Sequence, residues 1–318
     1  MTNRPLHFRA YAVTVAWTLA LLFLGSVVHA TGSSLACPDW PTCYGTMMPE
    51  MEGGVFWEHL HRLVAGGLVL MFALATWLVR SEEHGLRWLF HVSLAGMGLL
   101  LVQAVFGGVT VLLQLPDWIS TTHLGLAFVF LALATVLAAA SSPARARRPD
   151  LPAPLRRELV RWGAVSGGLV MAQSLLGGAV RHMDAGMACP EVPTCLGRWV
   201  PPLTQPLVAV HFSHRVLGVV TLLVVLIAAA KLSRAGAGHV RRAAGSMAAL
   251  VIAQVGLGLA SIGSALAVIP VSLHTLVAAS LLAVAVLLTT WGALPPVRGG
   301  AGRTASGAVA SAGPSRGG

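Results

Sequence analysis

Eight runs of about twenty apolar residues divide this chain, and a run of that length is what an α-helix needs to cross the hydrocarbon core of a bilayer. They fall at roughly 10–30, 59–79, 88–113, 119–140, 160–181, 208–230, 243–266 and 270–293. Only 10% of the residues are charged, against about 25% in an ordinary soluble domain. The expected fold class is therefore all-α integral membrane, with eight transmembrane helices. The first run is too long for a cleavable signal and lacks a small-residue cleavage site, so it is expected to stay as a helix.

A net charge of +10 raises the question of nucleic acid, and the placement of the charge answers it. Arg4 and Arg9 precede the first run, and Arg80 and Arg87 lie between the second and third. Arg145, Arg147, Arg148, Arg156, Arg157 and Arg161 surround the fourth-to-fifth connection, and Lys231, Arg234, Arg241 and Arg242 the sixth-to-seventh. With alternating helices all of these fall on one side. The opposite loops hold only Arg181 and Arg198, beside Asp39, Glu50, Glu52, Asp117, Asp184 and Glu191. That asymmetry is the positive-inside pattern. It places both termini in the cytoplasm, implies the plasma membrane, and assigns the basic charge to topology with no nucleic-acid partner.

The chain is a duplication. Residues 36–45 and 188–197 agree everywhere except Asp39/Glu191, Trp40/Val192 and Tyr44/Leu196. At nearly the same spacing Gly25 answers Gly177, His61-Arg62 answers His214-Arg215, Gln103 and Gly107 answer Gln254 and Gly258, and His123 answers His274. Two tandem four-helix bundles related by a pseudo-twofold axis along the membrane normal follow, as in parallel transporter repeats. The expected boundaries are 1–140 and 159–293, a cytoplasmic linker at 141–158, and a Gly/Ala/Ser-rich disordered tail at 294–318.

Four cysteines sit in the repeated outer loops, Cys37 and Cys43 in one and Cys189 and Cys195 in the other. Outside the cytoplasm even numbers of cysteines usually pair, and four allow three connectivities. The matching spacing makes a disulfide within each loop the simplest. Zinc is the rival, needing closer spacing or a histidine in the same loop, and a redox-active dithiol is the sharper alternative to a staple.

His7, His84, His91 and His239 are expected at the solvated cytoplasmic side. His61, His123, His214 and His274 differ: each lies one or two turns inside the outer end of an even-numbered helix. Ionisable side chains at such depth are costly and usually face a functional interior. Two histidines from separate helices at one depth suit the axial positions of a heme in a bundle core. Two per half are too few to close a zinc or copper site. Arg62 and Arg215 then offer donors for heme propionates, with interfacial snorkelling as their ordinary alternative. The halves differ at one telling place. Glu58, three residues before His61 and on its face, is matched by His211 before His214.

Glu58-His59-Leu60-His61-Arg62, the cysteine loop before it, His123, His211-Phe212-Ser213-His214-Arg215 and His274 together resemble heme A synthase over about residues 8–293. The resemblance implies oxidation of the C8 methyl of heme O to the formyl of heme A, for heme-copper oxidases. It implies that His61 and His123 bind the substrate porphyrin, that Glu58 is the catalytic acid/base or charge stabiliser, and that His214 and His274 ligate a resident heme b relaying electrons. Heme O synthase, oxidase assembly factors, an unidentified electron acceptor and a homo-oligomer are the partners it implies. One departure is His29, where the second half has Arg181 and an arginine is expected. Two other classes fit parts of the pattern. A diheme b-type electron-transfer cytochrome uses the histidines but not Glu58, and a membrane thiol oxidoreductase uses the cysteines alone.

Overall fold

The computed structural model describes residues 6–80, 87–147, 150–236 and 238–294. The helices are α1 (Leu6–Ala30), α2 (Gly53–Val79), α3 (Arg87–Leu112), α4 (Asp117–Ser141), the short α5 (Pro143–Arg147), α6 (Ala153–His182), α7 (Pro206–Ala235), α8 (His239–Gly263) and α9 (Val268–Ala293). All eight long helices are apolar enough to span a membrane. No sheet forms among the described residues; two isolated bridges, Cys43 with Thr46 and Cys195 with Arg198, tie the cysteine loops.

The helices are apolar around most of their circumference, as expected where lipid covers one side and protein the other. Among the first four, α1 meets α2 and α4, and α3 meets both α2 and α4. Among the last four, α6 meets α7 and α9, and α8 meets both α7 and α9. Between the two sets, α1 and α4 pack on α9, and α4 packs on α6. Tyr11, Phe72, Phe130 and Leu137 fill the first set. Leu159, Leu232, Met247 and Leu288 fill the second, in a cluster that also takes in Leu22 and Phe128 from the first.

Several polar side chains inside this apolar mass are satisfied within their own helix. Thr14, Thr18, Thr76, Thr135 and Thr221 each donate to the carbonyl four residues earlier, which keeps a hydroxyl bonded where no water reaches. Tyr11 and Ser93 share a 2.6 Å hydrogen bond that joins α1 to α3. Glycine permits the closest helix approach: a Cβ on Gly163 would lie 2.4 Å from Thr289 Oγ1 and 2.9 Å from the Ala285 carbonyl. Small residues at such crossings are the usual way membrane helices come together.

The fifth apolar run, expected at 160–181, begins earlier as helix: α6 starts at Ala153 with Pro154 in its first turn, inside the segment expected as a linker at 141–158, which also contains α5. Proline is well placed at the start of a helix, where its missing N–H has no partner to lose, and the arginines that follow favour helix once outside the apolar layer. Arg156 donates to the carbonyls of Gly292 (3.0 Å) and Ala293 (3.3 Å), closing the end of α9. His7, expected on a solvated surface, is buried, while His91 is exposed. His239 sets its ring against Trp291 at 5.0 Å. His84 and the tail from 295 lie outside the described residues.

Candidate functional site

Each of the four repeated histidines lies within about two turns of the start of its helix, on α2, α4, α7 and α9. A glycine on the preceding long helix makes room for each ring. A Cβ would meet the imidazole Cε1 at 3.0 Å from Gly25 (His61), 3.0 Å from Gly107 (His123), 2.9 Å from Gly177 (His214) and 3.2 Å from Gly258 (His274). Four helix pairs thus repeat one device, a ring seated on bare backbone. On three of the four preceding helices a glutamine stands one turn before the glycine: Gln103, Gln173 and Gln254. Gln103 and Gln173 donate to the backbone carbonyls of His123 and His214, both at 2.9 Å. On α1 that place is taken by Leu21.

The rings of His214 and His274 face one another with centroids 6.5 Å apart. Two imidazoles bound through nitrogen at about 2 Å on opposite sides of one metal have centroids roughly 6 Å apart, so this pair has the separation an axially ligated iron needs. His61 and His123 hold the matching places on α2 and α4 in the first set, each ring against the glycine of the preceding helix. The Nδ1 atom of His61 is buried without a protein partner, a state that calls for an explanation in a folded protein. The separation of His214 and His274 fits heme iron between them, and His61 and His123 repeat the arrangement on α2 and α4.

Glu58 is 4% exposed. Its Oε1 pairs with Arg62 Nη2 at 2.6 Å, and its Oε2 accepts the Cys37 N–H at 2.8 Å. Its counterpart His211 is equally buried and bonds the Ala185 carbonyl through Nδ1 at 2.8 Å. One half therefore has a buried carboxylate one helical turn from the ring, and the other has an imidazole.

The cysteines form two disulfides, Cys37–Cys43 and Cys189–Cys195, with all four residues buried. His59 brings a nitrogen within 4.8 Å of the first pair of sulfurs. Sulfurs bonded to each other offer no thiolate to a metal, and His59 Nε2 sits 3.0 Å from the Met47 carbonyl. Inside each loop an acid organises the turn. Asp39 accepts from Thr42 Oγ1, from the Tyr44 N–H (2.6 Å) and from the Gly45 N–H (3.0 Å), and Glu191 accepts from Thr194 Oγ1 and the Gly197 N–H. The hydrogen bond from Thr42, followed by those from backbone N–H groups, holds the Asp39 carboxyl below its ordinary range.

Arg62 and Arg215 reach these loops. Arg62 donates to the carbonyls of Cys37, Asp39 and Thr42, and Arg215 to those of Cys189, Glu191 and Thr194. The sequence pointed these arginines at heme propionates and did not reveal the loop carbonyls, because the direction of a long side chain is not written in its spacing. It also missed a polar junction between the two helix sets. Arg181 donates to Ser26 Oγ (2.8 Å) and to the Ser26 carbonyl (2.7 Å). Beside it the rings of His29 and His182 meet edge to face at 5.3 Å, and Thr121 bonds His182 at 2.9 Å.

The sequence profile of the cytochrome oxidase assembly protein family matches residues 9–54 and 50–286. The heme A synthase of Symbiobacterium thermophilum is 33% identical over 287 residues, covering 86% of this chain and 90% of that protein. That of Halalkalibacterium halodurans is 28% identical over 213 residues, 65% of this chain and 70% of its own. That of Shewanella oneidensis is 27% identical over 208 residues, 59% and 61% respectively. A match running from α1 into α9, over the helices that carry all four histidines, shows that this chain belongs to the family of cytochrome oxidase assembly proteins.

Proposed function

We propose that the chain is a heme A synthase, oxidising the C8 methyl of heme O to the formyl group of heme A, and that its two halves divide the work. The observation that carries this reading is the buried Glu58 carboxylate beside His61, present in one half and replaced by His211 in the other. Relatives that bear the name heme A synthase along most of this chain support the reaction class. The reading puts the protein in the plasma membrane with both termini cytoplasmic and the histidine sites toward the outer face.

In this reading His61 and His123 bind the substrate porphyrin, seated on Gly25 and Gly107, and hold its edge against Glu58. Oxidising a methyl to a formyl group brings in one oxygen atom, from water or O2, and removes protons and electrons, the electrons passing to an acceptor outside this chain. Glu58 is the group placed to accept a proton at its carboxylate oxygens and pass it outward. Its burial excludes water from the reacting edge, where general acid–base help is worth about 10²–10⁴-fold in rate. His214 and His274 hold a resident heme b, which supplies one-electron transfer when bound. The α1, α4, α6 and α9 contacts fix the helix set that carries these two histidines relative to the first half. Arg215 keeps a buried Nε–H without a protein partner, a donor suited to a propionate.

Co-expression with a heme O synthase, followed by chromatography of the extracted hemes, tests the reading. Heme A beside heme b is the expected result. Heme b alone, with heme O left unconverted, would instead favour a diheme electron-transfer cytochrome.

A further inference from the structure

The two arginines that follow the ligand histidines are not used alike, and counting donors shows the difference. A guanidinium offers five N–H groups, four of them on the two Nη atoms. Arg62 Nη1 donates to the carbonyls of Asp39 (2.7 Å) and Thr42 (2.5 Å). Its Nη2 donates to the Cys37 carbonyl (3.2 Å) and to Glu58 Oε1 (2.6 Å). Four bonds match the four Nη hydrogens, so the bidentate edge a propionate would grip is already taken. Arg215 makes only three such bonds, all to loop carbonyls, and retains an unpartnered buried Nε–H.

We propose that Arg62 is a positioning residue: it fastens the Cys37–Cys43 loop and the Glu58 carboxylate to the His61 turn of α2, which makes that disulfide loop a working part of the site. The inference rests on the role given to Glu58 above. Its geometry is a closed circuit. Arg62 holds the Cys37 carbonyl and Glu58 Oε1, while Glu58 Oε2 accepts the Cys37 N–H. The backbone of one disulfide cysteine is thus bonded on both sides to the acid–arginine pair, and Glu58 has no freedom that the loop does not share. In the second half Arg215 clamps its loop but His211 bonds elsewhere, to Ala185. There the residue three before the ligand has no bond to the arginine or to a cysteine; it reaches only the approach to the loop, at the Ala185 carbonyl that also accepts the Ala188 N–H.

Both disulfides are buried, so a reductant reaches them only when their loop opens. The reduction rate of each pair, followed by alkylation and mass spectrometry on the purified full chain, therefore reads loop opening without turnover. Arg62→Gln should speed reduction of Cys37–Cys43 at least tenfold and leave Cys189–Cys195 at its wild-type rate. In cells making heme O, the same variant should still retain heme O while its conversion falls tenfold or more. Arg62→Lys, which keeps the charge but cannot serve three carbonyls and a carboxylate together, should fall between. The infrared band of the Glu58 carboxyl, assigned by its loss in Glu58→Gln, should shift in Arg62→Gln. An unchanged first-loop reduction rate would overturn the proposal. So would loss of bound heme O in proportion to conversion, which is the signature of a propionate anchor. If Arg62→Gln opens both loops, the comparison passes to Arg62→Lys, and equal first-loop rates for it and wild type would then overturn the proposal. Failure of wild type to make heme A would defeat the functional reading while leaving the reduction result standing.

Discussion

The two halves share four devices: a ligand-type histidine pair, a glycine under each ring, a disulfide loop, and an arginine that clamps the loop. Around the first histidine of each pair they part at two places. Glu58 faces His211, and Leu21 stands where Gln173 clasps the His214 carbonyl. Each half clasps one histidine carbonyl with a glutamine, that of His123 through Gln103 in the first and that of His214 through Gln173 in the second. The acid is the difference that bears on chemistry. Only the first half carries a buried carboxylate beside a ring, which suits a molecule that arrives, reacts and leaves. A duplicated scaffold thereby keeps the geometry constant while the residues beside the rings set the task.

The largest expected effect falls on the second half. His214→Ala or His274→Ala should abolish the low-spin heme b spectrum, since one protein ligand then remains to the iron. An unchanged spectrum in both variants would break the comparison at its root.

A smaller, graded effect is expected from the glycines. Gly177→Ala puts a methyl 2.9 Å from the His214 ring, whereas Gly258→Ala puts one 3.2 Å from His274. Overpacking of this kind typically costs about 1–3 kcal/mol. Both variants should shift the electron paramagnetic resonance of the resident heme by turning a ring, Gly177→Ala the more. Equal, wild-type signals would mean the rings are not held by the helix backbone.

Much of this was legible in the sequence for definite reasons. Apolar run length reveals membrane helices because the bilayer core has a fixed thickness, and repeated cysteines at one spacing reveal the two loop disulfides. The start of α6 was not legible, since its first residues are arginine-rich and no apolar pattern marks them. Gln173 was hidden for another reason: aligning the halves pairs it with Leu21, so it drops out of any search for shared polar residues. The burial of His7 and the junction of Arg181 with Ser26 depend on which helices meet, and spacing along one helix says nothing about that.

The smallest expected effect concerns pH in the first loop. The Asp39 carboxyl is held below its ordinary value of 3.8. A carboxyl depressed by folding adds stability above its unfolded value, and that stability is lost as pH falls through the folded one. Reduction of Cys37–Cys43 by a phosphine, which acts in acid, should therefore accelerate only below about pH 3.8 in wild type. Asp39→Asn should remove that acid-dependent rise and open the loop modestly at all pH. A pH response identical to wild type would show that Asp39 does not organise the loop.

The division of labour itself is tested most directly by Glu58→Gln in cells that make heme O, with every extracted heme quantified. Gln keeps the shape of the side chain and can still bond Arg62, but it cannot ionise. The account predicts wild-type heme b at His214 and His274, heme O or a partly oxidised alcohol accumulating in the protein, and heme A reduced by about 10²–10⁴-fold. Wild-type heme A from this variant, or loss of heme b together with heme A, would contradict it.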